Sequence, residues 1–149
     1  MQKALISYVF LGLLMGAMAA VQSGVNARLR LSLSSPFQAA LISFAVGTAA
    51  LALLVVVLRP AWSAQALGDT PWWAWTGGAL GAFCVSSAVV LAPRVGALVL
   101  AATAVTGQLL TGVVLDHFGL VAFAKQPATP SRIAGVLLLI AGVLLVVRR

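Results

Sequence analysis

The sequence predicts an all-α integral membrane protein, a bundle of five transmembrane helices. Of its 149 residues, 62% are hydrophobic and 7% are charged, whereas soluble domains have about 25% charged residues. The mean hydropathy is +1.14. Nine basic and two acidic side chains cannot cover the surface of a soluble protein of 15.2 kDa. A soluble fold is therefore excluded, and the high apolar content excludes a disordered chain.

Five apolar runs account for the predicted helices. A helix that crosses the hydrocarbon core of a bilayer needs about 20 mostly apolar residues. Charge-free runs occupy residues 4–25, 37–58, 72–92, 95–115 and, as a shorter fifth run, 133–147. With their flanking prolines, the predicted spans are about 4–25, 36–58, 71–92, 95–115 and 130–147. Since the connections are short, residues 1–149 are expected to form one five-helix domain.

Prolines mark where several of these helices begin and end. Ser35, Thr70 and Thr129 each precede a proline, which predicts an N-cap hydroxyl followed by proline at the first helical position. Arg59-Pro60 and Ala92-Pro93 stand where the second and third helices are expected to end.

The basic residues that flank the spans give little orientation signal. Five spans put the termini on opposite sides of the membrane, with four basic residues on the N-terminal side and five on the other: Lys3, Arg59, Lys125 and Arg132 against Arg28, Arg30, Arg94, Arg148 and Arg149. An excess of Lys and Arg in cytoplasmic loops normally sets the orientation. Two interpretations follow. The chain has a single weakly biased topology, or it has dual topology, inserts both ways and pairs antiparallel.

The number of spans also favours pairing. Many secondary transporters consist of two inverted repeats with the substrate site between them, and this chain resembles one such repeat. An antiparallel homodimer supplies the other half and gives ten helices; a heterodimer with an oppositely inserted paralogue is the alternative. Gly135 and Gly142 lie on one face of the fifth helix and are the candidate dimer interface, because small residues allow close helix packing. Packing of that face within one chain is equally compatible with the spacing.

Three amides within or beside the spans are the candidate substrate-binding residues. Gln22 and Asn26 are one turn apart in the first helix, and Gln108 lies near the middle of the fourth. Polar side chains in a membrane are costly and therefore mark binding sites or contacts between helices. The functional interpretation is a polar patch that binds solute, and the structural alternative is hydrogen bonding between helices.

Asp116 and His117 directly follow the fourth predicted span and are the candidate gating or coupling residues. A carboxylate at a helix C-terminus meets the unfavourable end of the helix dipole, so Lys125 or Arg132 is expected to compensate it. That contact alone is the structural interpretation, while proton handling or gating is the functional one, because histidine titrates near neutral pH. No acidic residue lies in the middle of a span, which favours a neutral or zwitterionic solute over a cation exchanged for protons.

Composition also narrows the function classes. Two acidic residues, one histidine and one cysteine leave little material for acid–base catalysis or metal binding. We therefore expect no enzyme activity, no metal and no cofactor. The net charge of +7 comes from scattered residues, which is typical of membrane-flanking charge and not of a nucleic-acid interface. The lipid bilayer is the expected environment.

Several ordered motifs resemble the YdcZ-like inner-membrane exporters of the drug/metabolite transporter superfamily. They lie at residues 22–29 (QSGVNARL), 35–36 (SP), 39–48 (AALISFAVGT), 77–81 (GGALG), 91–96 (LAPRVG), 107–109 (GQL) and 115–119 (LDHFG). The resemblance implies a bacterial plasma-membrane protein of five spans that forms an antiparallel dimer. The Gly135 and Gly142 spacing is also similar to that of the dimerising helix of small multidrug resistance proteins. Those proteins have an essential glutamate in their first helix, where this chain has Gln22.

Together these features predict a small exporter that moves a small solute by alternating access as an antiparallel dimer. The alternative is a non-transporting membrane subunit that stabilises or regulates a partner protein.

Overall fold

The computed structural model describes residues 2–61 and 63–148. Its helices are α1 (Gln2–Leu33), α2 (Pro36–Leu58), α3 (Ala64–Gly68), α4 (Gly77–Phe118) and α5 (Pro130–Val147), with a 3₁₀ helix at Trp72–Thr76. These described ranges contain no β-strand. Two of the basic residues counted for the membrane topology lie partly or wholly outside this description, namely the Lys3 side chain and Arg149.

Among the described residues, four helical stretches are long and apolar enough to cross a membrane: Ile6–Leu33, Pro36–Leu58, Trp72–Phe118 and Pro130–Val147. Their large apolar side chains point outward, as at Phe10, Leu58 and Leu138, which are 67%, 73% and 74% exposed. Exposed apolar patches of this extent are incompatible with a soluble monomer. The predicted all-helical membrane class is therefore confirmed.

Two of the three predicted helix starts have the expected hydroxyl cap. The Gln38 backbone N–H donates to Ser35 Oγ over 3.4 Å, and the Arg132 backbone N–H donates to Thr129 Oγ1 over 3.4 Å. The prediction was wrong at Thr70. Here Pro71 is the N-cap of the 3₁₀ helix, and no side chain caps that helix.

Three helix ends differ from the prediction. α1 continues beyond Val25 to Leu33, so Asn26 and Arg28 lie inside the helix. The first helical part of α4 includes Pro93 and therefore does not end at Ala92, and the second part ends at Phe118 instead of Leu115. The α4 backbone is non-helical at Gly96, with φ 80° and ψ 164°, which separates helical residues 77–95 from 97–118. Asp116 and His117 consequently lie in the last turn of α4 and not after it.

The chain divides into two compact units, Met1–Arg94 and Val95–Arg149. In the first unit, α1 packs against α2. Two small residues of α2 are buried: Ala39 is fully buried and Ala40 is 5% exposed. A Cβ built on Gly81 would lie 3.3 Å from Cζ of Phe44. Gly81, in the first part of α4, therefore lets the Phe44 ring of α2 approach the α4 backbone, as expected for small residues between membrane helices.

In the second unit, a tight turn follows α4. Gly119 has φ 65°, the left-handed conformation that commonly ends a helix. The Leu120 N–H donates to Leu115 O over 2.9 Å, and the Gln126 N–H donates to Asp116 O over 2.7 Å. These bonds satisfy carbonyls that lose their helical partners at a C-terminus. They also hold residues 119–129 against the end of α4, next to the beginning of α5.

Candidate functional site

A groove of about 350 Å³ runs between the C-terminal part of α4 and α5. We call it the α4–α5 groove. It is lined by Gln108, Leu109, Gly112, Val113 and Asp116 of α4 and by Arg132, Gly135, Val136 and Leu139 of α5. The α4 residues recur at helical spacing and therefore share one face. The groove brings together three residues selected from the sequence, namely Gln108, Asp116 and Gly135.

An ion pair closes the polar end of the groove. Arg132 Nη1 lies 3.4 Å from Asp116 Oδ2, and the two side chains are 39% and 33% exposed. The prediction that Lys125 or Arg132 compensates Asp116 is met by Arg132. The same guanidinium donates to the Gln126 backbone oxygen from Nη1 over 3.3 Å and to Gln126 Oε1 from Nη2. Sequence reasoning missed Gln126, which gave no signal beyond its proximity to Arg132 in the chain.

His117 lies apart from the groove lining. Its Nδ1 accepts the Ala128 N–H over 3.2 Å, so in the neutral ring the proton is on Nε2. The ring also contacts Phe118 edge-on, with centroids 4.8 Å apart. His117 thus anchors residues 119–129 from a different side of α4 than Asp116, because adjacent residues are about 100° apart on a helix.

The two amides of α1 have different environments. Asn26 is 5% exposed and is the one buried polar residue among those the structure describes, whereas Gln22, one turn earlier, is exposed. Among the described residues, no buried side-chain nitrogen or oxygen atom lacks a hydrogen-bond partner. Asn26 thus lies inside the first unit, whereas Gln22 is accessible at its surface. Gln108 belongs to the second unit and is exposed in the α4–α5 groove.

The two glycines selected as a dimer interface also differ. Gly135 lines the α4–α5 groove, while Gly142 lies further along α5 and is exposed. A Cβ added to either would meet no neighbouring atom within 4 Å. Within the second unit, then, neither glycine is used for close helix packing.

Sequence reasoning also missed a contact that joins α1 to α4. Arg30 Nη1 donates to the Val89 backbone oxygen over 3.4 Å, and Val89 is fully buried. Proline has no N–H, so Pro93 cannot donate the helical bond that Val89 O, four residues earlier, would otherwise accept. Arg30 supplies the missing donor. The signal in the sequence was Pro93 itself, since a proline inside a helix removes the N–H that the carbonyl four residues earlier would accept.

Metal binding has no support in the described part of the chain, where no three His, Cys, Asp or Glu side chains are grouped for a metal ion. Cys84 is exposed and free.

Comparison with known proteins identifies the family. The family described as "Putative inner membrane exporter, YdcZ" matches residues 7–145, a range that contains α2, α4 and both groove-lining segments. Comparison with curated proteins and with solved structures found no match. The resemblance seen in the sequence motifs is confirmed, as is the predicted location. The chain belongs to the YdcZ family and is a multi-pass inner-membrane protein.

Proposed function

We propose that this protein exports a small neutral or zwitterionic solute by alternating access. The observation that carries the proposal is the family match, which covers residues 7–145 and so nearly all of the chain. The buried Asn26 and the polar end of the α4–α5 groove support it, because membrane proteins keep polar groups inside chiefly where they function. Under this proposal Gln22, Asn26 and Gln108 contact the solute, and Asp116 with His117 gates one mouth. The proposal assigns transport to the chain and no enzymatic reaction.

The membrane is crossed five times in this proposal. The apolar stretch Trp72–Phe118 has 47 residues. At a rise of about 1.5 Å per residue, its helical length is more than twice the ~30 Å of a bilayer core. Gly96 interrupts it near the midpoint, with the charged Arg94 beside it. One crossing before and one after Gly96 therefore fits both the length and the charge.

The functional unit that we propose is an antiparallel dimer, formed by two copies or with an oppositely inserted paralogue. Its support is the near balance of basic residues on the two sides, together with a span number that gives one repeat of a two-repeat transporter. Gly142 leaves open space along α5 outside the α4–α5 groove, where a second chain can pack closely next to Gly135.

Paired reporters fused to the C-terminus test dual topology. One reporter is active only in the cytoplasm and the other only outside. For the native chain we expect activity from both. Replacing Arg148 and Arg149 with glutamine changes the balance from four against five to four against three. The excess of basic residues then moves to the N-terminal side, which is expected to lie in the cytoplasm. The outside reporter should therefore gain signal and the cytoplasmic reporter should lose it.

Signal from a single side for the native chain, unchanged in the double glutamine variant, would contradict dual topology and direct the search to an oppositely inserted partner. Replacement of Gln2 and Gln65 with alanine is the matched control, since it removes two polar residues and no charge. It should leave the ratio of the two reporters as it is in the native protein.

Transport itself is tested with proteoliposomes loaded with a bacterial metabolite extract. We expect a small group of neutral or zwitterionic solutes to leave the liposomes, as measured by mass spectrometry of the external medium. Asn26→Leu should reduce this flux at least tenfold, because it replaces the buried amide with an apolar side chain. Gln65→Leu removes an exposed amide outside the long helices and should leave the flux unchanged.

If no solute moves and the purified protein retains another membrane protein at constant stoichiometry, the alternative of a non-transporting subunit replaces the proposal. Equal flux through the native protein and Asn26→Leu would remove Asn26 from the pathway.

A further inference from the structure

The α4–α5 groove combines an apolar body with a charged end. Leu109, Val113, Val136 and Leu139 contribute apolar walls, and Asp116 with Arg132 forms the charged end. Gln108 lies eight residues before Asp116, a separation of about 12 Å along a helix. The volume of the α4–α5 groove, about 350 Å³, is at the small end of ligand sites, which measure roughly 300–1,000 Å³.

The open space in the groove comes from two missing side chains. Gly112 of α4 and Gly135 of α5 both line the groove, and a Cβ built on either would meet no atom within 4 Å. A short alkyl chain that starts at the charged end can therefore pass both glycines without meeting a side chain at either position.

The charged end carries one negative and one positive group and has no net charge. Asp116 Oδ2 lies 3.4 Å from Arg132 Nη1. A carboxylate has a second oxygen and a guanidinium has five N–H donors, so each group has further atoms that can contact a ligand. About a third of each side chain is exposed. A lone cation would bind Asp116 and weaken the charge compensation of Arg132, and a lone anion would do the reverse. Either loss of compensation is costly near a membrane. A ligand with both charges compensates both.

We propose that the α4–α5 groove binds a small amphipathic zwitterion. The ammonium group of the ligand contacts Asp116, its anionic group contacts Arg132, and its alkyl chain lies over Gly112 and Gly135 toward Leu139. This assignment rests on the proposed transport function for its role as a substrate site. The chemistry is shared by free amino acids with apolar side chains and by an ethanolamine phospholipid headgroup.

Binding is measured by calorimetry on the intact protein in nanodiscs of phosphatidylglycerol, with three probes that share an alkyl chain. Norleucine has both charges, hexanoate lacks the ammonium group, and pentylamine lacks the carboxylate. We expect norleucine to bind at least tenfold more tightly than either of the others. Gly112→Leu fills the groove and should weaken norleucine binding at least tenfold. Gly107→Leu is the matched control, because Gly107 belongs to the same helical stretch, has equal open space and does not line the groove.

Absence of norleucine binding, equal binding of all three probes, or equal losses in the two leucine variants would overturn the assignment. Repeating the titration in phosphatidylethanolamine nanodiscs distinguishes the two sources. If norleucine still binds in phosphatidylethanolamine nanodiscs, the ligand is a free zwitterion. If norleucine binds in phosphatidylglycerol nanodiscs but not in phosphatidylethanolamine nanodiscs, the ligand is the lipid headgroup. Because this readout needs no transport, norleucine binding without solute flux would contradict the exporter proposal alone, and flux without norleucine binding would contradict the groove assignment alone.

Discussion

The Gly96→Ala variant is expected to unfold more easily than the native protein, with a free energy of unfolding lower by about 1–3 kcal/mol. Gly96 has φ 80° and ψ 164°, a conformation that is essentially restricted to glycine because a Cβ collides with the local backbone. Apart from its two neighbours in the chain, a Cβ at this position would meet no atom within 4 Å. The cost is therefore one of backbone conformation and not of packing. Denaturant unfolding in detergent micelles, followed by circular dichroism, measures it.

Gly107→Ala is the matched control for this prediction. Gly107 lies in the helical part of α4 after the interruption, and it too has open space around it. Alanine in a helix interior is more stable than glycine by about 0.5–1 kcal/mol, so this variant should be more stable than the native protein. If both variants gain stability, the backbone at Gly96 is not held in the glycine-only conformation, and the proposed boundary between two spans loses its support.

The Arg30→Met variant is expected to lose about 1–3 kcal/mol of unfolding free energy, the usual cost of a buried acceptor without a donor. Arg30 is the donor to Val89 O over 3.4 Å, and Pro93 cannot replace it. In a Pro93→Ala background, the new N–H at position 93 can donate to the same carbonyl. There, Arg30→Met should cost less than about half as much, because the two donors are alternatives and their effects are not additive.

Arg28→Met controls for the loss of a positive charge at this end of α1. Arg28 is exposed and, within the described contacts, is not the donor to Val89. We expect no measurable change in stability, and an equal effect on the topology reporters for both arginine variants. Equal destabilisation by Arg30→Met with and without Pro93 would mean that the guanidinium stabilises something other than the Val89 carbonyl.

Much of the fold follows from local signals. Ser35-Pro36 and Thr129-Pro130 predicted the starts of α2 and α5 correctly, because an N-cap hydroxyl and a proline with a fixed φ act within a single turn. The apolar runs predicted the helical membrane class for the same reason, since each run is long enough to span a bilayer without help from the others.

Local signals misplaced the helix ends where distant residues change the outcome. α1 continues past Val25 to Leu33, and long basic side chains within that extension, such as Arg28, can reach the membrane interface. α4 passes Pro93 because Arg30, 59 residues from Val89 in the chain, supplies a donor to the carbonyl that proline leaves unpaired. The interruption then comes three residues later, at Gly96, whose positive φ no pattern in the sequence had indicated.

The sequence by itself determined the membrane environment, the helical class, the family and the candidate residues, because composition, capping and motif order belong to short stretches of chain. Only the tertiary structure decided which residues meet. It paired Asp116 with Arg132, 16 residues apart, buried Asn26 while leaving Gln22 exposed, and aligned Gly112 with Gly135 along one groove. These contacts depend on how one helix packs against another, and no single helix carries that information.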